Sequence, residues 1–129
     1  MAKIKKTTSQ YIDGFVLPVP KKNLAAYKRM SQKAGKVWKE YGALEYIESV
    51  GDDLKVKMGM GLSFTKVAKP KPGEVVVFSW ILYKSRADRD RINKKVMSDP
   101  RLASMMDPKS MPVDMKRMAY GGFRIIVDM

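Results

Sequence analysis

The chain contains no cysteine and no histidine. Their absence removes disulfides, thiol nucleophiles, Cys/His zinc sites, Ser-His-Asp triads and imidazole ligation of haem. Acid–base chemistry is left to carboxylates, tyrosines and lysines, and a metal site is expected to need an oxygen-only shell. No ladder of Asp and Asn with calcium-loop spacing supplies one, so neither a metal nor a cofactor is expected. No apolar run is long enough to cross a bilayer. The basic opening "MAKIKKTTSQ" is not followed by an apolar stretch of signal-peptide length. The expectation is a soluble, cytoplasmic protein without membrane contact.

What is present begins with charge. The formal net charge is +13 over 129 residues. That length suits one domain, which buries about two-thirds of its unfolded surface and needs no covalent staple. Residues 1–9 read as a basic tail and 10–129 as a single domain. Residues 1–40 hold ten Lys/Arg against two acids, Asp13 and Glu40, a bias that suits RNA or another polyanion. No ribonucleoprotein signature accompanies it, and the aromatic residues fall within regular elements.

Hydrophobic spacing sets the order of elements. "QYIDGFVLPVP" (10–20) suits a strand. Across 21–42, Leu24, Tyr27, Met30, Ala34, Val37, Trp38 and Tyr41 draw one helical stripe, with Gly42 near its end. "ALEYIESV" (43–50) reads as a second strand and 51–74 as a long loop or arm. "VVVFSWILY" (75–83) is a third strand. In "SRADRDRINKKVMSD" (85–99), Ser85 and Asp88 predict a capping box. Ile92 and Val96 supply a narrow apolar stripe, and the charges read as its solvated face. Pro100 restarts a short helix, and 116–129 ends in a strand interrupted by Gly121 and Gly122. The order is that of a ferredoxin-like βαββαβ subunit with an antiparallel sheet, an α+β fold.

The third strand is apolar at both parities: Val75, Val77 and Ile81 on one side, Val76, Phe78, Trp80 and Leu82 on the other. Such a strand is covered on both faces, yet two helices cover only one. A second copy of the sheet is the expected lid, giving a homodimer and a dimeric α/β barrel. The alternative lids are the 51–74 arm and the methionine-rich 105–118 segment.

"YIDGFVLPVP", "YGALEYIESVGDD", "VVFSWILYKSRADRDRINKKVMSDPR" and "MPVDMKRMAYGGF" resemble, in order, the DUF1428 family of small bacterial proteins of unknown function. The resemblance runs from about residue 11 to the C-terminus and implies a branch of the dimeric α/β barrels. That wider group includes cofactor-free oxygenases, haem-degrading, dehalogenating and lactone-forming enzymes, so the resemblance implies a scaffold and not a reaction.

Polar residues interrupt the apolar strands at Asp13, Glu45, Glu48, Ser79 and Arg124; Asp13, Glu45, Ser79 and Arg124 mark the candidate pocket, with Tyr46, Trp80 and Tyr120 as walls. A lone charge in a sheet core is costly without water, a partner or a purpose. Asp13 and Arg124 are expected to pair, with the first and last strands near each other only across the sheet, or with a partner subunit's residue in place of one of them. As a structural pair they set register; as a site, Asp13 or Glu45 is a general base and Arg124 clamps an anionic substrate. The expected function is small-molecule binding within the barrel, as a cofactor-free enzyme or a binding protein. The alternatives are a basic module for RNA or another polyanion and a purely structural dimer. Methionines between 97 and 118 serve as gap-filling or as an adaptable lid.

Overall fold

The computed structural model describes residues 9–129; the expected basic tail lies almost wholly outside them. The elements run β1 (Tyr11–Pro20), α1 (Leu24–Glu40), β2 (Glu45–Val50), α2 (Phe64–Ala68), β3 (Glu74–Tyr83), α3 (Arg86–Met97), α4 (Pro100–Met105) and β4 (Ala119–Arg124). The sheet is antiparallel throughout, in the order β2-β3-β1-β4. This is the expected ferredoxin-like α+β arrangement with one added short helix.

Local chemistry sets the boundaries. A short 3-10 turn at Lys21–Asn23 leads into α1, whose stripe buries Tyr27, Ala34 and Val37. Ser85 Oγ accepts from the Asp88 N–H at 3.1 Å, the cap expected for α3. Asp99 does the same for α4 through the Arg101 N–H, with Pro100 in the first turn. Within the arm, Ser63 caps α2 by accepting from the Lys66 N–H.

β1 and β3 are the central strands, paired along their whole length from Tyr11–Tyr83 to Pro20–Glu74. Alternate residues of each point to the helices. Tyr11, Ile81 and Tyr83 pack with Ala34, Val37, Ile92 and Val96. Leu17, Val19 and Val77 pack with Tyr27 and Val113.

Two expectations change. β1 and β4 are hydrogen-bonded neighbours, with Asp13 opposite Gly122 and Tyr11 opposite Arg124. β4 also stops at Arg124. Beyond it the Ile125 N–H donates to the Gln10 carbonyl, and Ile126 and Val127 are exposed.

The far sheet face is partly covered, and by the arm. Phe64 of α2 meets Phe78 edge-on, with ring centroids 5.7 Å apart. Pro18 and Val76 on this face are buried. The 105–118 segment packs on the helix side instead, so it is not the lid of this face. An apolar groove of about 590 Å³ remains open between Ile12, Val16, Phe78, Trp80 and Phe123.

Candidate functional site

One pocket of the described residues lies between the sheet and its helices, on the opposite side of the sheet from the expected barrel interior. It encloses about 450 Å³. The sheet supplies its floor, α1 and α3 its sides, and methionines its roof. Met30 comes from α1, Met97 from α3 and Met105 from α4, while Met106, Met111, Met115 and Met118 come from the segment that follows.

Asp13 anchors one end of the floor, with only 5% of its surface exposed. Its Oδ2 accepts from the Asn93 amide at 3.3 Å, and its Oδ1 from Arg89 Nη1 at 3.3 Å. The Tyr83 hydroxyl lies 3.0 Å from Asp13 Oδ2 and 3.1 Å from Asn93 Oδ1. It has one proton for the two, and the charged carboxylate is the stronger acceptor. Asn93 Oδ1 in turn accepts from the Trp38 indole at 3.0 Å. Arg89 stacks over the Tyr11 ring at 4.9 Å and donates to its hydroxyl. Arg89 Nε sits 2.9 Å from Asp90 Oδ1 but is not aimed at it, which leaves a buried donor unsatisfied. Burial first, then the Asp13 charge, pushes the Tyr83 phenol far above its usual range.

A second polar group stands at the other end. Glu48 accepts from the Tyr27 hydroxyl at 2.8–2.9 Å and from Ser31 Oγ at 2.5 Å. Ser31 Oγ is also 2.9 Å from the Tyr46 hydroxyl. Burial, reinforced by Glu48, drives the Tyr27 phenol upward; Tyr46, mainly through burial, rises to about 12. The Tyr46 ring fits because residue 35 is glycine. A Cβ there would lie 2.7 Å from the ring.

Ser79 lies on β3 between the two groups, opposite Phe15 and Glu48. It is 6% exposed and lines the cavity. Its hydroxyl makes no hydrogen bond to another described residue, so it is the one floor group not already spoken for among these strand residues.

The candidate residues therefore separate. Asp13, Tyr46 and Ser79 line the cavity. Trp80 and Tyr120 border both the cavity and the far-face groove. Glu45 lies on the far face, where it accepts from the Trp80 indole at 3.4 Å. Arg124 is exposed at the end of β4, and the partner of Asp13 is Arg89. Tyr27, Ser31, Arg89 and Asn93 are site residues that the sequence did not single out, whereas Glu48 stood out as a charge inside an apolar strand. A signal for two of them existed: positions 89, 92, 93 and 96 share one helical face, so residues beside buried Ile92 and Val96 turn inward.

Among the described residues, no grouping of carboxylates is placed to hold a metal ion, and no helix is long and apolar enough to cross a membrane.

Comparison with known proteins follows the fold. Two NIPSNAP-family crystal structures share it. The protein from Agrobacterium tumefaciens, of unknown function, aligns with a TM-score of 0.56 at 12% identity, over 92% of this chain and 90% of its own. An uncharacterised NIPSNAP-domain protein from Burkholderia xenovorans aligns with a TM-score of 0.54 at 11% identity, over 88% and 91%. In sequence, the uncharacterised protein YbaA of Escherichia coli K12 is 45% identical over 119 residues, 92% of this chain and 98% of that protein. YbaA of Shigella flexneri matches to the same extent. Residues 10–115 match the family described as "Protein of unknown function (DUF1428)". On that match and the YbaA identity, the chain belongs to the DUF1428 family.

Proposed function

We propose that this protein binds a small, largely apolar organic molecule in the cavity between sheet and helices. The observation that carries this reading is Ser79: a buried hydroxyl without a described partner, set in the floor of a cavity lined largely by thioethers, aromatic rings and aliphatic side chains, with paired polar groups at its ends. A volume of about 450 Å³ falls within the range of small-ligand pockets, roughly 300–1,000 Å³. Methionine walls adapt to irregular shapes. Asp13 already has three donors on its two oxygens, so we assign it to holding the floor in place and not to proton transfer.

The charged residues of the lining are Asp13, Glu48 and Arg89, and Arg89 is spent on Asp13. The cavity thus favours neutral or cationic ligands although the chain is +13, which argues against an anionic substrate clamped by Arg124. The test is a thermal-shift screen of neutral, cationic and anionic compounds against the protein and Ser79→Leu, which narrows the floor. Neutral or cationic hits should stabilise the first and not the second. Hits that stabilise both equally, or a screen without hits in any class, would overturn the proposal.

We propose further that the protein is a homodimer closed over the far sheet face. The groove there carries no charged side chain and keeps Phe78 and Phe123 more than one-third exposed, a surface that soluble monomers rarely leave open. Sedimentation at micromolar concentration should give twice the chain mass, and Phe78→Lys should give a single chain. A monomeric parent protein would sink this arrangement.

A polyanion remains the second reading, because Lys28, Arg29, Lys33 and Lys36 on α1 form no ion pair among the described residues. Binding of that kind weakens steeply with salt; undetectable RNA binding at low salt removes it.

A further inference from the structure

Seven of the eleven methionines line the one cavity described above. The other described ones, Met58, Met60 and Met129, are exposed. Four of the seven converge still further. Met30, Met111, Met115 and Met118 all pack, half-buried, on the cluster of Leu17, Val19, Tyr27, Val77 and Val113. They reach it from α1 and from a segment more than eighty residues later in the chain. Filling of space alone does not ask for this chemistry, because leucine occupies a similar volume with fewer rotamers.

What thioethers add to leucine is a soft donor atom. A sulfur without charge and without a proton to lose binds soft cations and ignores magnesium, calcium and other hard ions. The oxygen-only shell expected from the absence of cysteine and histidine leaves this ligand type out. Net charge does not oppose a cation locally, since the charged lining comprises two carboxylates and one guanidinium.

We propose that Met111, Met115 and Met118, with Met30 facing them, form a binding site for a soft monovalent cation of the copper(I) and silver(I) class. The side chains are unbranched and have three rotatable bonds each, so rotamer changes alone re-aim their sulfurs. Because thioethers do not titrate, binding is insensitive to mild acid, unlike a thiolate or imidazole site. The inference is independent of the organic-ligand proposal, and the metal alone is its probe.

The experiment titrates the protein with silver(I), and with copper(I) buffered by a competing chelator, at neutral and mildly acidic pH. The same is done for Met111→Leu/Met115→Leu/Met118→Leu and for the control Met58→Leu/Met60→Leu. One saturable ion per chain is expected for the parent and the control, equally at both pH values. The triple variant should bind about tenfold more weakly or worse, as ligand loss requires. Methionine-methyl NMR of the parent protects the test against misfolding of the triple variant: the signals of Met30, Met111, Met115 and Met118 should shift on adding silver(I). No saturable binding, undiminished binding by a folded triple variant, or shifts confined to Met58, Met60 and Met129 would overturn the proposal.

Discussion

Three phenols hold the polar floor together, and each is kept protonated for a physical reason. Tyr27 and Tyr83 are buried beside the carboxylates of Glu48 and Asp13, and Tyr46 is buried against α1. Burial disfavours the phenolate, and for Tyr27 and Tyr83 a neighbouring negative charge adds to it. A phenol whose folded-state pKa is raised contributes stability in full below its unfolded value of 10.0 and loses it as pH rises through the folded value. The protein should therefore become unstable from about pH 10 upward, with these three phenols ionising only as it unfolds. Tyrosinate absorbance should rise in a step that coincides with loss of circular dichroism. A smooth rise typical of six ordinary phenols in a still-folded chain would refute this. At this scale the sequence was half legible. It marked Asp13, Glu48 and Ser79 because polar residues interrupt apolar strands, and Tyr46 as an aromatic wall. It passed over Arg89 and Asn93, because the stripe of Ile92 and Val96 is narrow and the polar residues beside it read as part of the solvated face.

Elements were the most legible level, since caps and periodicity are local. The Ser85 cap, the stripe of α1 and the restart at Pro100 all stand where the spacing puts them. The arm's short helix was missed because five residues carry too little period to detect. β4 was read too long because an apolar "FRIIV" looks like a strand whether or not a neighbour pairs with it; the regular ladder with β1 ends at Arg124. Gly35 shows how an element's local preference yields to packing. Alanine there gains about 1 kcal/mol of helix propensity, but its Cβ would lie 2.7–2.9 Å from the Tyr46 ring. Overpacking of that kind costs about 1–3 kcal/mol. The ring cannot easily swing away, because its hydroxyl is bonded to Ser31 and its face lies against Trp38. Gly35→Ala should be net destabilising in urea unfolding; a gain in stability would mean that Tyr46 is not fixed against α1.

For the whole molecule, acid is the informative stress. Arg117, just before β4, donates twice to Glu74 at the start of β3 and ties the roof segment to the sheet. Hydrogen bonds from Arg117 first, then from the Lys71 N–H, hold the Glu74 carboxyl down at about 2, against 4.5 when free. A lowered carboxyl contributes its stability above the unfolded value and loses it as pH falls toward the folded one. Asp99, held down chiefly by Arg101, acts in the same direction. Stability should fall progressively between pH 4.5 and about 2, and Glu74→Gln should flatten that fall while lowering stability at neutral pH; an unchanged acid profile would show that the tie contributes nothing. By itself the sequence determined the order of elements, the two apolar faces of β3 and membership of the family, because periodicity and covalent order are properties of neighbouring residues. Only the tertiary structure decided that Asp13 meets Arg89 and not Arg124, and that methionines distant in the chain share one wall. Those meetings depend on strand register and on the rotation of each helix about its axis. Both are set by packing between elements, which no local spacing records.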